Sequence, residues 1–589
     1  MLQELERLGR QIDLSPTGYS YSLAYWAVYL NPDPERSYVD LLTRQQEGQT
    51  PKHGRYELVP ELRRNAAEPL LIDDTGEYAF GAGERASSRH PLYRQLLERC
   101  VRETGDEQAQ RVLSYVTSIS LEGLDTELRQ RSQRILGQET LPPEFFWAKQ
   151  RLIFIGSDGE RVTHRSAVMA WWQRYYTSKQ ESREGTCSIT GDTGPVLTHK
   201  LPSFAKGVAN TQGSGAGLAT FDKAAYQSYG KTGIDNAPIG VEVAERTHKA
   251  LTALVNRREH TTHIGHQQFV FWGEKGPMGL DPEFWRRPSG QRIEEGGEWI
   301  DEGGEAGKNL FASPYRPDRT PDDSDPFYLV SLKGVKGRIA VTDFEQRYIA
   351  CVRTNVSRFL ACQQTAPKWQ PSSVWALCKA AFLPDPKPEE MNRIARALVR
   401  SVLFGTPLPD EYALRLIRRI IQERDTFRSP VRAQALALFL SVNDMNAPNA
   451  QIHPSPNRVA YALGRIAFLM HQAQVVAQNL QREETNVSRA LNSLSTTPAT
   501  VFPRLYANCI ANHLEERSAN EDKRRRNYLI KIKRSLDGEF ASLGEYDPDH
   551  DFPSHLSTHQ QAQFFLGFGK ARAEFFTKSS NQESQQEQQ

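Results

Sequence analysis

The pattern of apolar residues changes at about Pro367, and this change constrains the fold more than any other feature of the sequence. Before it, short apolar runs bounded by Gly, Pro and Asp predict strands interspersed with helices. After it, apolar residues recur every three to four positions in one segment after another, which predicts helices alone. We therefore expect an α+β protein, in which a mixed α/β domain over residues 1–365 precedes an all-α helical bundle over residues 366–577. The last residues, 578–589, are rich in Gln, Ser and Glu and are predicted to be disordered.

Individual elements of the N-terminal domain follow from the same patterns. A strand is expected over 21–30, and a hairpin over 68–81 with its turn at Asp73-Asp74-Thr75-Gly76. Residues 166–176 have the periodicity of an amphipathic helix. The aromatic side chains of that helix could stack on bases, but aromatic residues at helical spacing more often belong to a core, and we expect them there. These side chains are Trp171, Trp172, Tyr175 and Tyr176.

The later part of this domain contains a predicted insertion and a predicted hairpin. Residues 274–326 are rich in Gly, Pro, Asp and Glu and have few apolar residues, which predicts a mobile insertion. Apolar runs at 327–332 and 338–342 predict a hairpin, and a helix is expected over 344–360.

Composition limits the classes of function that this chain can have. Its 589 residues carry a formal net charge of +2, so no global field attracts DNA or an anionic membrane, and any nucleic-acid binding must come from local clusters. The six cysteines include no C-x-x-C pair, which argues against a disulfide framework and a zinc ribbon and predicts buried thiols. No apolar run approaches the ~18 residues of a spanning helix. A cytoplasmic protein is expected.

The stretch from 187 to 240 is predicted to be a binding surface. It is rich in glycine and lacks helical periodicity, so its backbone amides are expected to be largely free to bond an external ligand. The run Gly213, Gly215 and Gly217 would let a backbone approach phosphate or sugar, although a glycine-rich loop without a ligand remains the simpler interpretation of the run alone. Amide, hydroxyl and lysine side chains are the types that read base edges and contact phosphates. The candidate DNA-binding residues here are Lys206, Asn210, Gln212, Ser214, Lys231 and Asn236.

Basic stripes on the predicted bundle helices form a second candidate site. At 100° per residue, arginines and lysines fall opposite the apolar faces of three helices, with few acids on the same stripes. One such stripe is usually a solvated face, but three together favour a groove that follows phosphates. The candidate DNA-binding residues of the bundle are Arg393, Arg396, Arg400, Lys523, Arg524, Lys531 and Arg534.

Patterns typical of enzymes are incomplete. Gly230-Lys231-Thr232 resembles the end of a phosphate-binding loop, but Ala225 stands where that motif requires glycine. His550-Asp551 lacks a second His and Asp at helical spacing. His260, His263 and His266 lack a further metal ligand other than the nearby Glu259, and Asp73 and Asp74 with Glu77 lack the lysine of a common nuclease core. We predict no catalytic residue, no metal and no cofactor.

Several motifs carry a resemblance to a known family. Within 187–240 these are C-S-I-T-G, K-G-V, Q-G-S-G-A, T-F-D, S-Y-G and N-A-P; elsewhere they include EPLLIDDTGEYAFG followed by HPLY, the strand GRIAVTDF, and the bundle segments AYALGRIAF, TPATVFPRL and HQQAQFFLGF. Together they resemble the large subunit of the type I-C CRISPR interference complex, often called Cascade. Asp222 is a departure, since Thr220-Phe221-Asp222 stands where Ser-Phe-Asn is expected.

The resemblance implies a non-enzymatic subunit that works with a guide RNA. Such a subunit would recognise the motif that flanks a target in duplex DNA, help to open the duplex, hold the displaced strand and recruit a helicase-nuclease. The implied partners are guide RNA with the CRISPR backbone subunits, target double-stranded DNA and its displaced single strand, and a small subunit made from the C-terminal part of the same gene, with Met445 as a candidate internal start. A stand-alone metal-dependent nuclease and a purely architectural subunit remain the alternatives.

Overall fold

The computed structural model describes most of the chain. It describes residues 1–586 except 45–51, 63–66, 138, 199–200, 202–203, 214, 219–220, 222–223, 266, 275–290, 294–298, 302–322, 365, 367–368, 385, 426, 428, 445–457, 481–483, 515–522 and 544–551. The chain divides into two compact units, of which the first comprises Met1–Ala253 with Gly334–Ile339 and the second comprises Leu254–Lys333 with Ala340–Gln589.

The first unit contains seven of the described helices and nine short strands. The helices are α1 (Leu2–Gln11), α2 (Gly76–Ala79), α3 (Ala86–Thr104), α4 (Glu107–Ser118), α5 (Leu121–Leu136), α6 (Ser166–Ser178) and α7 (Val241–Val255). The strands are β1 (Tyr19–Ala24), β2 (Trp26–Tyr29), β3 (Tyr38–Leu41), β4 (Thr43–Arg44), β5 (Lys52–His53), β6 (Arg55–Pro60), β7 (Leu152–Ile155), β8 (Ser182–Thr186) and β9 (Thr193–Leu197).

The first unit contains a three-stranded sheet of order β3-β2-β7. Strand β2 runs antiparallel to β3 and parallel to β7. Apolar residues occupy consecutive positions of β2 and β7, which is typical of strands buried on both faces. Accordingly, Val28 and Phe154 pack into one hydrophobic cluster, while Ala27 and Ile153 pack into another.

The hairpin predicted over 68–81 is wrong. Residues 76–79 form α2, and the carboxylate of Asp73 is fully buried. Its oxygens accept hydrogen bonds from the backbone N–H of Phe154 at 3.0 Å, from Arg161 at 2.5 Å and from the hydroxyl of Thr163 at 2.6 Å. Distant partners therefore determine the conformation of this segment, and the local turn signal does not.

The aromatic side chains of α6 form part of the core, as predicted. Trp171, Trp172 and Tyr176 are buried in the main hydrophobic cluster of the first unit. Tyr175 is half-buried and stacks on Trp171, with 5.3 Å between the ring centroids. Five of the six cysteines are also buried, and Cys351 is half-buried.

The second unit combines one four-stranded antiparallel sheet, of order β10-β11-β14-β15, with a helical bundle. Its strands are β10 (Thr261–Ile264), β11 (Gln267–Gly273), β12 (Gln291–Ile293), β13 (Trp299–Asp301), β14 (Pro326–Val335) and β15 (Arg338–Tyr348). Its helices are α8 (Ile349–Gln363), α9 (Val374–Ala380), α10 (Pro388–Phe404), α11 (Asp410–Glu423), α12 (Val431–Asn443), α13 (Arg458–Gln478), α14 (Asn486–Arg489), α15 (Leu491–Thr496), α16 (Pro498–His513), α17 (Lys523–Ser542) and α18 (Thr558–Gln586).

One hydrophobic core joins this sheet to the helices. Phe271 and Phe327 of the sheet belong to the same buried cluster as Leu398 of α10 and Leu463 of α13. Because the sheet and the bundle share a core, the two units divide after Ala253, whereas the sequence predicted a boundary at about 365.

The predicted fold class is confirmed: mixed α/β structure precedes a helical C-terminal region. Some boundaries differ from prediction. Strand β15 continues to Tyr348, so the helix expected from 344 begins at Ile349. Helix α18 extends to Gln586, so residues 578–586, predicted to be disordered, lie in a helix that their Gln and Glu content favours. Most of the predicted 274–326 insertion lies outside the described residues.

Candidate nucleic-acid interface

The glycine-rich segment 204–217 is held against the turn between β14 and β15, and both belong to the first unit. Thr211 forms an isolated parallel β-bridge with Lys336, and Gly217 forms one with Arg338. The backbone N–H of Gln212 donates to the carbonyl of Lys336 at 3.1 Å, and that of Gly217 donates to Gly337 at 3.2 Å. These bonds hold the segment against a turn that lies more than a hundred residues later in the chain.

The expectation that the backbone amides of this segment are largely free is wrong for several of them. Gly215 donates to the carbonyl of Gln212 at 2.8 Å, and Ala216 exchanges hydrogen bonds with Ala205. Gly215 instead permits close packing, because a Cβ atom there would lie 2.8 Å from the carbonyl oxygen of Ala205, and a glycine of β14 does the same from the other side. A Cβ atom at Gly334 would lie only 2.0 Å from the carbonyl oxygen of Ala209, so only glycine fits there.

Three polar side chains of this edge face solvent. Asn210 and Lys336 are exposed and adopt left-handed backbone conformations, with φ of 62° and 54°. Gln212 is also exposed, although its backbone N–H is bound to Lys336. Lys206 is half-buried, and its amine lies 3.9 Å from Glu61. Ser214 lies outside the described residues. The backbone is thus fixed while the amides of Asn210 and Gln212 remain accessible.

The loop after this segment contains the other two candidates. Asn236 uses its amide within the loop: it accepts from the N–H of Ser228 at 3.1 Å and donates to the carbonyls of Lys231 and Gly233 at 3.2 and 3.0 Å. These bonds shape the loop and leave the exposed Lys231 as its outward-facing candidate.

Two tyrosines of the same loop were not among the predicted site residues. Tyr229 is 97% exposed on a left-handed backbone with φ of 53°, and Tyr226 is also exposed. The guanidinium of Arg338 lies 5.5 Å from the ring centroid of Tyr226, a cation–π arrangement. The S-Y-G motif was the sequence feature that could have identified Tyr229 as a site residue. Burial alone distinguishes these rings from the core aromatics of α6.

A buried histidine supports this region from α7. His248 is fully buried, and burial lowers its pKa from the ordinary 6.5 to about 4. One ring nitrogen, Nδ1, lies 2.6 Å from the carbonyl of Ala244 and therefore donates. The other, Nε2, is then the acceptor for the N–H of Leu218 at 3.3 Å. The neutral imidazole thus holds the C-terminal end of the glycine-rich segment.

Cys187 lies at the start of the 187–240 stretch. Burial raises the pKa of its thiol, but hydrogen bonds from Gly240 and from residues 189 and 190 outweigh burial and lower the pKa below its usual value. The N–H of Gly240 donates to the sulfur at 3.3 Å. The sulfur therefore links the two ends of the stretch.

The basic stripe of α10 is compensated by acids on other elements, contrary to the expectation from sequence. Arg393 pairs with Glu411 of α11 at 2.6 Å. Arg400 pairs with Asp343 and Glu345 of β15, and Arg396 is half-buried. Ion pairs within the protein partly neutralise this stripe, which weakens the case for phosphate contacts at Arg393 and Arg400.

Helix α17 carries the densest cationic stripe of the bundle. Lys523, Arg524 and Arg534 are exposed, whereas Lys531 is half-buried with its amine 5.1 Å from the ring centroid of Phe575. Leu529, Ile532 and Leu536 are buried on the opposite side of the helix, as the periodicity predicted. The same helix also includes Arg525, Arg526 and Lys533.

The histidine triplet does not form a metal site in the described region. His260 is buried with Nδ1 3.2 Å from the carbonyl of Phe271, and His266 and the His550-Asp551 pair lie outside the described residues. Within the described ranges, no group of three or more His, Cys, Asp or Glu side chains lies close enough together to hold a metal ion. Of the described helices, none is long and apolar enough to span a membrane.

Comparison with known families places the chain in a class of CRISPR-associated proteins. The family model described as CRISPR-associated protein (Cas_Csd1) matches residues 2–576, nearly the whole chain. The chain belongs to this family, the large subunit of the type I-C interference complex, and the resemblance seen in the sequence is confirmed. It is therefore a subunit of a Cascade-type CRISPR complex. A comparison with curated proteins gives no match.

Proposed function

We propose that this subunit recognises the short motif that flanks a target in duplex DNA, and that Asn210 and Gln212 read it. The observation that carries the proposal is the hydrogen bond from the backbone of Gln212 to Lys336 at 3.1 Å, which holds an exposed amide side chain beside an exposed lysine. Amide side chains form paired hydrogen bonds with base edges, and lysine neutralises neighbouring phosphates. A fixed backbone lowers the entropy lost when these side chains bind.

Duplex opening is assigned to the neighbouring loop. Tyr229 presents nearly its whole ring to solvent, and Lys231 lies two residues away. An aromatic ring that enters a base step replaces part of the stacking lost on opening, and a nearby cation steadies the backbone. Lys206 and Lys336 supply further positive charge on the same unit.

The displaced strand is assigned to α17, where Lys523, Arg524 and Arg534 are exposed on one helix. Such a helix can follow the phosphates of a single strand without reading its sequence. The stripe of α10 contributes less, since Arg393 and Arg400 already have carboxylate partners. In this proposal the protein has no catalytic residue and acts in the cytoplasm. It assembles with guide RNA and the CRISPR backbone subunits, and a helicase-nuclease is recruited afterwards.

The nuclease alternative has less support. Asp73 and Asp74 accept hydrogen bonds from the protein's own backbone, and Glu77 pairs with Arg89. Carboxylates bonded in this way have fewer lone pairs left for a metal ion. Metal-dependent DNA cleavage by the purified protein would support the nuclease alternative. Normal DNA binding by every variant described below would favour the purely architectural subunit.

The test compares two DNA substrates bound by the assembled complex. We expect Gln212→Ala or Asn210→Ala to weaken binding to a correctly flanked duplex by ~1–3 kcal/mol, because a bidentate base contact is lost. Binding to a target already melted beside the motif should change much less. Gln110→Ala is the matched control, since Gln110 is an exposed glutamine on α4. Equal losses on both substrates would place the recognition site elsewhere.

A further inference from the structure

Two tyrosine rings lie exposed on one face of the ribbon formed by β1 and β6. Tyr21 is 65% exposed and Tyr56 is 61% exposed. In the antiparallel register Tyr21 pairs with Leu58, and Leu23 pairs with Tyr56. Paired residues leave the same face of an antiparallel ribbon, so the two rings are diagonal neighbours on one face that also includes both leucines.

Two cations extend this face. The guanidinium of Arg44 lies 6.0 Å from the ring centroid of Tyr56. Lys52 is exposed and pairs with Arg44 across the β4–β5 ribbon, so both side chains leave the same side. No carboxylate in the described part of the chain forms an ion pair with Arg44 or Lys52. Arg55 immediately precedes Tyr56 on β6, so its side chain lies on the other face of the ribbon, where it forms an ion pair with Glu57 at 2.5 Å.

We propose that these four residues, Tyr21, Tyr56, Arg44 and Lys52, form a platform that binds single-stranded DNA. Every base has a π face that stacks on an exposed aromatic ring, and cations beside the rings neutralise the phosphates between the bases. The combination of two exposed rings with two cations that no described carboxylate pairs with fits this ligand better than a protein surface, which would have to be acidic to partner the cations.

The location of the platform favours DNA as the source of the single strand. Ser20 precedes Tyr21 on β1, so its side chain leaves the opposite face of the same ribbon. There it donates a hydrogen bond to Glu61 at 2.9 Å, and Glu61 lies 3.9 Å from the amine of Lys206. Lys206 belongs to the segment that we propose inspects the flanking motif. If the duplex opens there, unpaired DNA bases are released beside the ribbon whose other face carries the platform. The choice of DNA therefore rests on the proposed function.

The experiment measures binding of a fluorescent oligothymidylate to the full-length chain by fluorescence anisotropy. We expect the double variant Tyr21→Ala/Tyr56→Ala to bind at least about 30-fold more weakly, because two stacking contacts are lost. Tyr21→Phe/Tyr56→Phe should bind within about 2-fold of the unmodified chain, because phenylalanine keeps the π face. Arg44→Gln/Lys52→Gln should flatten the log–log salt dependence by up to ~1.4, or ~0.7 for each lost phosphate contact.

A matched control and a second ligand make the result decisive. Tyr38→Ala removes a 48% exposed tyrosine from β3, where its ring stacks on Tyr29, and it should leave binding unchanged. Unchanged binding by the double alanine variant would overturn the platform. A loss of the same size in the double phenylalanine variant or in Tyr38→Ala would also overturn it. So would a result in which the tyrosines matter for binding of oligouridylate but not of oligothymidylate. Loss of complex assembly without loss of oligothymidylate binding would assign the face to a protein partner and also overturn it.

The outcome is separable from that of the proposed function. Gln212→Ala should leave oligothymidylate binding unchanged, since Gln212 lies outside the platform. If Gln212→Ala does not alter recognition of flanked duplex while the double alanine variant still loses oligothymidylate binding, the platform is supported and the flanking-motif proposal fails. If Gln212→Ala alters recognition of flanked duplex while the double alanine variant binds oligothymidylate normally, only the platform proposal is overturned.

Discussion

The Nε2 atom of His248 accepts a hydrogen bond from the backbone N–H of Leu218 at 3.3 Å. Since the opposite ring nitrogen donates to Ala244, this contact exists only while the imidazole is neutral. Protonation of the ring would place the new N–H at Nε2 against the backbone N–H of Leu218, and neither buried group could then accept a hydrogen bond from the other. The glycine-rich segment is therefore coupled to the charge of one histidine.

This coupling predicts a loss of stability in mild acid. The pKa of His248 is about 4 in the folded protein and 6.5 ordinarily, so between these values the unfolded chain binds more protons. The contribution of His248 to the free energy of unfolding should be complete above pH 6.5 and should fall by at most ~3 kcal/mol as the pH drops to 4. Urea unfolding at several pH values measures it. His248→Gln should show a smaller pH dependence over that window, and equal dependence in both proteins would contradict the assignment.

A second prediction concerns the contact between Gly334 and the glycine-rich segment. Gly334→Ala would place a Cβ atom 2.0 Å from the carbonyl oxygen of Ala209, so the segment must shift, at a cost of ~1–3 kcal/mol. We expect the variant to lose discrimination between flanked and unflanked duplexes. Gly337→Ala in the same turn meets no atom within 4 Å and is the matched control. If both variants discriminate normally, the position of the segment does not matter for recognition.

The sequence predicted the general architecture because apolar periodicity reports burial directly. The hairpin expected over 327–332 and 338–342 corresponds to β14 and β15, and the apolar face expected opposite the basic stripe of α17 is the buried stripe of Leu529, Ile532 and Leu536. The failures share a different cause. Asp73 reads locally as a turn residue, but Arg161 and Thr163 bind its carboxylate. Partners so far along the chain leave no local signal.

The candidate site shows the same limit. The acids that neutralise Arg393 and Arg400 lie on α11 and β15, so a helical wheel of α10 could not reveal them. The glycines near 215 appeared open to a ligand, yet the β14–β15 turn covers part of them. Among the amide candidates of the stretch, Asn210 and Gln212 are exposed, whereas Asn236 uses its amide within the loop, a difference that residue type alone does not predict.

A third prediction distinguishes α17 from α10. Replacing Lys523, Arg524 and Arg534 by Gln in the assembled complex should flatten the log–log salt dependence of target binding by up to ~2 units, at ~0.7 for each lost phosphate contact. Lys531 is left in place because it lies over the ring of Phe575, so its removal would also disturb packing. Arg393→Gln/Arg400→Gln is the comparison, and little change is expected because both side chains are already paired. An unchanged slope in the α17 variant would leave that stripe as a solvated face.

The close contact between α13 and α18 bears on the predicted small subunit. A Cβ atom at Gly464 would lie 1.8 Å from the carbonyl oxygen of Phe564, and one at Gly567 would lie 2.2 Å from that of Tyr461. The two helices therefore meet backbone to backbone, which only glycine permits. Arg465 adds ion pairs to Glu539 of α17 and Glu574 of α18. These contacts lie within the part of the chain that follows Met445, so a product beginning there would keep them.

We therefore expect expression of the gene to yield a second, shorter protein that begins near Met445, includes α13 to α18 and is present in the complex in more than one copy. A start at Met470 would remove the N-terminal half of α13, including Gly464 and Arg465, and so would lose the contacts that hold α17 and α18 in place. Mass spectrometry of the purified complex identifies the N-terminus, and Met445→Leu tests the start codon itself. Loss of the short product in that variant, with the long chain retained, would support Met445. A complex without any peptide whose N-terminus lies between Met445 and Arg465 would refute the internal start.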